Sequence, residues 1–364
     1  MPSPARPAPS NALHAHRTAA TTGNPTSGGG TGRSRHPPTA ARLCGQFAVA
    51  CALVATLTAP ARAYTAYVTN ERDNTVSVVD LDKMKTVRTI PVGQRPRGIA
   101  ITPDGKELLV CASDDDAIQT IDTQALAITG TLPSGPDPET FALNRAGTIV
   151  YVSNENDAML TIVDVAKRRA IGQISTGVEP EGMGVSPDGS IVVNTSETTN
   201  MAHFIDAAAR RLIASVLVDP RPRIAEFKHD GSEVWVSSEL GGTVSVLDPG
   251  THKITHKITF AVQGLRSDTI QPVGIRFSKD DALAFVALGP ANRVAVVDTA
   301  TYKPTKYLLV GQRVWQMALT PDGKALLSTN GLTNDISVID VPSLTVTRSI
   351  PVGREPWGVV ISPQ

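Results

Sequence analysis

The sequence contains little cysteine, few aromatic residues and no apolar segment long enough to span a bilayer comfortably. Three cysteines occur in 364 residues, and Phe, Trp and Tyr together make up 4%. Two of the cysteines lie in the first 63 residues, so the rest of the chain has Cys111 alone and cannot form an internal disulfide. Cys111 stands in an apolar strand segment and is interpreted as an inert core residue. The apolar run from Leu43 to Leu57 has about 15 residues, fewer than the ~20 that a membrane-spanning helix requires.

The motifs of several enzyme classes are also missing. There is no Gly-x-Ser-x-Gly nucleophile elbow, no Cys-x-x-Cys-His haem attachment site and no phosphate-binding Gly-rich loop. His252 and His256 are four residues apart in a predicted strand, which separates them by roughly 13 Å and excludes a shared metal ion. His203, in a polar segment, is the one histidine expected near the site described below, and it is interpreted as structural.

Acidic and basic residues balance over the whole chain, at 34 each, but not over its parts. The first 63 residues contain six arginines, no lysine and no acid, which leaves 28 basic and 34 acidic residues in the rest, a net charge of about −6. A nucleic-acid-binding protein needs a basic stripe, so this balance argues against nucleic acid as a partner.

The first 63 residues predict a leader in two parts. Residues 1–42 are rich in Pro, Ala, Gly, Ser and Thr, and we expect disorder because they cannot bury enough apolar surface. Residues 43–63, preceded by Arg42, combine a short apolar core with Ala61-Arg62-Ala63, as a signal peptide does. We expect cleavage after Ala63 and export, with a bacterial periplasm as the destination. The 42 residues ahead of the core are unusual: either translation starts after Met1 or the leader is atypical.

The remainder, residues 64–364, is a repeat with a period of 42 residues. The Gly of a Pro-Asp-Gly turn returns at this spacing, for example at Gly105, Gly147 and Gly189. Short alternating strands at such a period predict an all-β fold, a single seven-bladed β-propeller. An Asp closes the alternating Val/Ile segment of each repeat, in steps of 42 residues except for one of 50, at Asp80, Asp122, Asp164, Asp206, Asp248, Asp298 and Asp340.

Each repeat predicts four antiparallel strands, as in Gly98–Thr102, Glu107–Cys111 and Thr86–Val92 for the first, second and fourth. After the leader the chain starts with a second strand, and it ends with a first strand, Trp357–Ser362. We therefore expect the N- and C-terminal strands to share one blade and close the ring, which removes both exposed sheet edges. Eight extra residues, placed in Ala261–Gln271, are expected to form a loop on one face.

The residue that precedes each first strand is expected to face one mouth of the central channel. Two of the three tryptophans and four charged residues fall at these positions. They indicate a site that binds a small anionic or planar ligand through stacking and bidentate arginine contacts. Alternatively, neighbouring Arg and Glu side chains neutralise each other and the tryptophans cover the channel. We call these residues the ring positions: Arg97, Glu139, Glu181, Arg223, Val273, Trp315 and Trp357.

The acidic residues outside the ring are given structural roles. One Asp at the same strand end in every repeat suits an Asx-turn, so these carboxylates are interpreted as turn caps. The loops Asp114–Asp116 and Glu155–Asp157 are expected to face the same mouth, where a cation site is conceivable. They lack the regular spacing of a calcium-binding loop, so we interpret them as solvated and predict no metal site.

Several segments resemble known propellers. Tyr67-Val68-Thr69-Asn70 and Tyr151-Val152-Ser153-Asn154 resemble the repeats of the YVTN family of β-propellers, over essentially all of residues 64–364. Val178–Met183, Asn194–Phe204 and Ala287–Val294 resemble the β-propeller proteins associated with catabolism dependent on pyrroloquinoline quinone (PQQ). This resemblance implies an exported companion of periplasmic quinoprotein alcohol dehydrogenases and of ABC-type transport components. Those dehydrogenases have eight blades with tryptophan-docking repeats, so this chain is not expected to be one.

Three functions follow from the sequence. The first is an exported accessory protein, without catalysis, that binds a small ligand (PQQ is one candidate) or a protein partner at the channel mouth. The second is a lactonase-like hydrolase, since seven-bladed lactonases look similar in outline, with Glu139 or Glu181 as the acid–base group. The third is a structural scaffold whose rim loops dock another protein.

Overall fold

The computed structural model describes residues 64–363, which form seven sheets of four antiparallel strands each. Six of the sheets use four consecutive strands, and the seventh joins the last strand of the chain to the first three. The chain is therefore a seven-bladed β-propeller, as the repeat predicts. The predicted leader, 1–42, and signal peptide, 43–63, lie outside the described residues.

The strands are numbered in chain order, and the blades follow the same order. Blade 1 contains β1 (Thr65–Asn70), β2 (Thr75–Asp80) and β3 (Lys85–Pro91); blade 2, β4 (Pro96–Ile101), β5 (Glu107–Ala112), β6 (Ala117–Asp122) and β7 (Ala127–Pro133); blade 3, β8 (Pro138–Leu143), β9 (Ile149–Asn154), β10 (Met159–Asp164) and β11 (Arg169–Ser175); blade 4, β12 (Pro180–Val185), β13 (Ile191–Ser196), β14 (Met201–Asp206) and β15 (Arg211–Leu217); blade 5, β16 (Pro222–Phe227), β17 (Val234–Ser238), β18 (Thr243–Asp248) and β19 (Lys253–Thr259); blade 6, β20 (Ile275–Phe277), β21 (Leu283–Ala287), β22 (Arg293–Asp298) and β23 (Lys303–Leu309); blade 7, β24 (Val314–Leu319), β25 (Ala325–Asn330), β26 (Asp335–Asp340) and β27 (Thr345–Pro351); and β28 (Pro356–Ile361) completes blade 1.

Helix is confined, in residues 64–363, to three single turns of 3-10 helix at Ser113–Asp115, Glu155–Asp157 and Ser267–Thr269. None of these turns has the length or apolar character that crossing a bilayer requires. The predicted absence of a long amphipathic helix is confirmed for this part of the chain.

The ring closes as the sequence predicts, because β28 pairs antiparallel with β1. Ala66 faces Ile361 and Val68 faces Val359 in this pairing. The four strands of blade 1 therefore come from both ends of the described chain, and neither β1 nor β28 is left as an open edge on that side. Apolar side chains between adjacent blades form the core, and Ala66, Val68 and Val359 lie in the cluster between blades 7 and 1.

The recurrent Asp residues cap turns, as predicted. Asp80 Oδ1 accepts hydrogen bonds from the backbone N–H groups of Asp82 (3.1 Å) and Lys83 (2.9 Å). The carboxylates at the equivalent positions accept from one or two N–H groups that lie two or three residues later, at Asp122, Asp164, Asp206, Asp248, Asp298 and Asp340. A one-residue change at these sites removes a turn cap and no channel group.

Glycine allows the innermost strands to converge around the channel. The residue after each ring position alternates between glycine and a larger residue, and Thr140, Ile224 and Gln316 alternate with the glycines. At Gly182 a Cβ atom would lie 1.9 Å from the carbonyl oxygen of Arg223 in the next blade. The same distance to the next ring carbonyl is 2.6–2.8 Å at Gly98, Gly274 and Gly358. Alternating small and large residues thus fill a tapering ring without collision.

Hydroxyl groups on second strands join neighbouring blades in four places, and we call them the bridging hydroxyls. Thr195 Oγ1 accepts from the N–H of Gly182 in its own blade (2.8 Å) and donates to the carbonyl oxygen of Arg223 in the next (3.1 Å). The same two contacts recur at three more positions and end on the carbonyls of Arg97, Val273 and Trp357, made by Thr69, Ser237 and Thr329. The backbone of four ring positions is held in this way.

The histidines take structural positions, with one correction to the prediction. His252 precedes β19, with a left-handed φ of 56°, instead of lying in the strand with His256. The ring of His256 stacks on Tyr302 at 3.9 Å between centroids. His203 lies in β14 within a blade, where Nε2 accepts from the N–H of Gly177 (3.0 Å) and Nδ1 contacts Ser215 Oγ (2.8 Å). His203 is thus a buried structural residue and does not stand at a ring position.

The inserted segment lies between β19 and β20, where the sequence places it, and it contains the turn Ser267–Thr269. Its last residue, Gln271, accepts a hydrogen bond at Oε1 from Arg313 Nη1 (3.0 Å). Because Arg313 belongs to the loop before the next inner strand, the insertion reaches the face that carries the ring positions. The following inner strand, β20, is shortened to three residues.

We expect Gly182→Ala to lower the stability of the propeller, because the added methyl would collide with the backbone of β16 and push blades 4 and 5 apart. The cost should be about 1–3 kcal/mol or more, measured by urea or thermal unfolding. Gly172→Ala, in β11, is the matched control, since its Cβ would meet its nearest atoms at an ordinary 3.6 Å. Equal stability of the two variants would contradict this account of the inner strands.

Candidate functional site

The ring positions lie together at the start of the inner strands, as the repeat predicts, and we call this end of the channel the ring end. Their burial differs from that of an open mouth. Glu139, Glu181, Arg223 and Trp357 are each at most 3% exposed, and Val273 is fully buried. Two further ring residues are half-buried, Arg97 and Trp315. The side chains therefore fill the ring end instead of surrounding an opening.

The first ion-pair group is centred on Glu139. Arg97 Nη1 donates to Glu139 Oε2 (2.5 Å), and Arg95 Nη1 donates to Glu139 Oε1 (2.8 Å). Arg97 Nη2 also contacts Glu71 Oε1 at 3.2 Å. Arg95 forms a further ion pair with Asp137. Both oxygens of a fully buried carboxylate are thus paired with guanidinium groups, which offsets the cost of removing that charge from water.

The second group is centred on Arg223, which contacts carboxylates from three positions. Its Nη2 lies 2.9 Å from Glu181 Oε1, it donates to Glu197, and its Nε lies 3.7 Å from Glu239 Oε2. Arg221 Nε reaches Glu197 at 2.9 Å and Glu239 at 3.3 Å. The predicted Arg–Glu neighbours are therefore real contacts, and they correspond to the alternative in which these side chains neutralise each other.

The two ring tryptophans also meet, with centroids 6.5 Å apart and planes tilted by 31°. The guanidinium carbon of Arg313 lies 4.0 Å from the Trp315 ring centroid, and that of Arg223 lies 5.7 Å from it. Arg313 Nη2 is held by Glu239 Oε1 at 2.7 Å. The aromatic group is thus tied to the ion pairs by cation–π contact.

Sequence reasoning missed a second tier of charged residues in this network. Four glutamates follow second strands at the repeat spacing, so the same count that found the ring could have found them: Glu71, Glu155, Glu197 and Glu239. Three arginines stand two residues before ring positions, all with left-handed φ of 52–58°: Arg95, Arg221 and Arg313. Together they close the ring end over the inner strands.

Burial and neighbouring charge separate the pKa values of these carboxyl groups. Burial opposes ionisation of Glu139, but Arg97 and Arg95 outweigh it and hold the pKa of Glu139 below its usual value. Burial, followed by the charge of Glu139, raises the pKa of Glu155 to about 8. Burial also raises the pKa of Glu181 well above its usual value, although Arg223 acts in the opposite direction. At neutral pH the network therefore holds ionised and protonated carboxyl groups side by side.

One group of acids has the spacing of a metal site. Single oxygens of Asp137, Glu139 and Glu155 lie within 4.8 Å of one another. Arg95 and Arg97 already occupy both oxygens of Glu139, so the cationic charge at this point is supplied by guanidinium groups. The arrangement is explained by the ion pairs without a metal.

Beneath the ring end the channel contains a small chamber of about 80 Å³, lined by Gly98, Thr140, Gln316 and Trp357 among others. Both amide atoms of Gln316 and the indole Nε1 of Trp357 are buried and have no hydrogen-bond partner among residues 64–363. The Nε of Arg97 is in the same condition. Buried polar atoms are nearly always paired, so these atoms indicate a polar molecule in the chamber.

Comparisons with known proteins agree on the fold. A family model described as "Lactonase, 7-bladed beta-propeller" matches residues 58–186, roughly a third of the chain. None of the curated proteins matches the chain. The partial family match supports a propeller of the lactonase type and leaves the activity open.

Among solved structures, similar chains include a hydrazine synthase from Kuenenia stuttgartiensis, at 19% identity and a TM-score of 0.69, covering 76% of this chain and 92% of that one. A functionally unknown protein from Desulfotomaculum acetoxidans has 17% identity and a TM-score of 0.68, with 82% and 98% covered. The dihydro-heme d1 dehydrogenase NirN in complex with DHE has 16% identity and a TM-score of 0.60, with 81% and 74% covered. At these identities the likeness shows the fold alone.

The raised pKa of Glu155 predicts a pH-dependent loss of stability. The unfolded carboxyl ionises above about pH 4.5, whereas the folded one keeps its proton to about pH 8, so stability falls as pH rises between these values. Because Glu155 is half-exposed, we expect about 1–2 kcal/mol. In Glu155→Gln this loss should disappear, as measured by urea unfolding at pH 5 and pH 8.5.

Glu355→Gln is the control for this measurement, because within the described chain the Glu355 side chain belongs to no ion pair and should leave the pH dependence unchanged. If Glu155→Gln loses as much stability between the two pH values as the unaltered chain does, the proton is not held at Glu155.

Proposed function

We propose that this chain is an exported accessory protein of PQQ-dependent alcohol catabolism, which binds a small ligand at the ring end of its channel. The observation that carries the proposal is the set of unpartnered buried atoms on Gln316 and Trp357, which face the chamber below the ring positions. They offer two N–H donors and one carbonyl acceptor within an otherwise apolar wall, the arrangement that small-molecule sites use for orientation.

PQQ is the ligand that we propose, and its size decides how it would lie. A three-ring quinone with three carboxylates does not fit within about 80 Å³. The chamber shares Ile99, Phe141 and Met183 with a wider cavity on the other side, so a planar molecule would place one edge in the chamber and extend away from the ring. Trp357 would then contact that edge, and the Arg–Glu pairs at the ring positions would form the closed floor.

The resemblance described above supports the remaining parts of the proposal. We place the mature chain, from residue 64, in the periplasm, where its partner would be a quinoprotein alcohol dehydrogenase or an ABC-type transport component. A pull-down from alcohol-grown cells tests this partnership by asking whether either named protein is recovered with the tagged chain and not with an unrelated periplasmic protein.

Equilibrium dialysis with PQQ tests the ligand. The unaltered chain should retain PQQ saturably, and Trp357→Phe or Gln316→Leu should weaken binding by about tenfold, because each removes a buried hydrogen-bonding group. Gln312→Ala, an exposed neighbour on the loop before β24, should bind as the unaltered chain does. Retention that is absent, or equal in all four proteins, contradicts PQQ binding at the ring end.

The second candidate is a lactonase-like hydrolase, favoured by the family match over residues 58–186 and by the carboxyl pair Glu139 and Glu155. One member is held ionised and the other protonated near neutral pH, and such separation allows one group to act as base and the other as acid. Glu181 is the second carboxyl group that the sequence nominates.

Hydrolysis of a simple lactone, such as gluconolactone, tests this candidate. Glu139→Gln should reduce kcat/KM by about 100-fold or more if Glu139 is the base, with a smaller change in Glu181→Gln. The rate of the unaltered chain should fall as pH rises through about 8, because Glu155 then loses its proton. Activity that is absent, or unaffected by both variants, disposes of the enzyme.

A further inference from the structure

The channel opens at the end opposite the ring end, into a cavity of about 700 Å³ that we call the wide mouth. Its deep wall is apolar, with Ile99, Phe141, Met183, Val185 and Phe227 among its residues. This volume lies within the range of small-molecule sites, which measure roughly 300–1,000 Å³. Four basic residues stand on the same wall with a single acid: Arg145, Lys228, His229 and Arg276, with Glu226.

The repeat itself shows that these residues are departures from the propeller pattern. Five residues before the turn glycine, five blades have a small or apolar residue, namely Ala100, Ala142, Gly184, Ala318 and Val360. The two remaining blades have Glu226 and Arg276 at this position. Folding the blade therefore does not require a charge here, and both charged residues line the wide mouth.

Lys228 departs from the pattern in a way that costs a structural contact. The other six blades have Thr, Ser or Asn at this position. In blade 4, for example, Ser186 Oγ donates to Asp188 Oδ1 (2.6 Å) and accepts from the N–H of Ile191 (2.9 Å), which ties the turn together. A lysine cannot make this pair of bonds. At the next position, four blades have the turn Pro, whereas Arg145, His229 and Lys279 replace it.

Charge at the wide mouth is incompletely paired. The Lys228 side chain is 15% exposed, and its ion pair within residues 64–363 is with Asp230 at 3.9 Å, beyond hydrogen-bond distance. Arg145 forms no ion pair with any described residue. Arg276 Nη1 donates to Glu226 Oε2 at 3.1 Å. His229 differs from these, because its Nδ1 is bound by Asp281 Oδ1 at 2.6 Å. A largely buried ammonium group without a close partner favours an anion beside it.

We propose that the wide mouth is a binding site for a small organic carboxylate, whose apolar body enters the channel and whose carboxylate lies between Lys228, Arg145 and Arg276. The apolar wall and the partly unpaired cations together select an amphiphilic anion over inorganic phosphate or a neutral molecule. The site stands independently of the ligand proposed for the ring end, since its charged residues belong to the opposite ends of the inner strands.

Calorimetric titration of the mature chain, residues 64–364, with 2-naphthoate tests the site. Binding should be saturable, with 2-naphthylmethanol and inorganic phosphate each at least about tenfold weaker. The variants return each position to the residue that other blades carry, so they are expected to fold: Lys228→Ser, Arg145→Pro and Arg276→Ala. Lys228→Ser and Arg276→Ala should each weaken 2-naphthoate about tenfold.

Lys279→Pro is the matched control. It removes a basic residue from the same repeat position as Arg145, but Lys279 Nζ donates to the carbonyl oxygen of Pro321 (2.5 Å) and does not line the cavity. Its affinity for 2-naphthoate should be unchanged. Equal affinity of Lys228→Ser and the unaltered chain, or equal binding of 2-naphthylmethanol and 2-naphthoate, overturns the proposal.

The ring end and the wide mouth are separated by the same set of variants. Trp357→Phe leaves the cations of the wide mouth in place and should bind 2-naphthoate normally, while PQQ retention should fall. If PQQ retention instead depends on Lys228 and not on Trp357, the ring-end ligand is wrong and the carboxylate site stands. If 2-naphthoate does not bind while PQQ behaves as proposed, the carboxylate site is wrong and the ring-end ligand stands.

Discussion

The contact on which this propeller depends is the bridging hydroxyl between the inner strands of neighbouring blades. The pairing of first and second strands shifts register beside the ring positions, as between Pro180 and Met183, which removes an N–H and a carbonyl from the ladder. Buried backbone groups must be paired, and Thr195 pairs one of each at once. Because the two groups belong to different blades, the bond that completes the strand also sets the distance to the next strand.

This fixed spacing brings charges together that would be costly apart. Arg223 is 3% exposed and surrounded by three carboxylates, and Glu139 is fully buried between two guanidinium groups. Losing one partner would leave a buried charge, so the network is held as a unit. Its consequence is a channel with two unlike ends, one closed by paired charges and one wide and partly basic.

The period of 42 residues was sufficient to predict the seven blades, the shared blade 1, the turn-capping Asp residues and the ring positions, because each is a count along the chain. The closed ring end was not predictable in the same way. Arg95 precedes a proline, where extended backbone is expected, yet it has φ of 52°, which lets its side chain reach Asp137 and Glu139. The wide mouth was missed because only one end of the inner strands was searched for departures from the repeat.

The pairing of β28 with β1 also determines when folding can finish. Strands β1, β2 and β3 are made first by the ribosome, but the inner strand of their blade, residues 356–361, is made last. Until that segment emerges, the nascent chain has an open gap between blades 7 and 2 and an unpaired β1. Contacts between such distant segments form slowly, so the growing polypeptide stays incompletely folded throughout synthesis. A chain of this design remains threadable through a narrow translocation pore until its final residues are added.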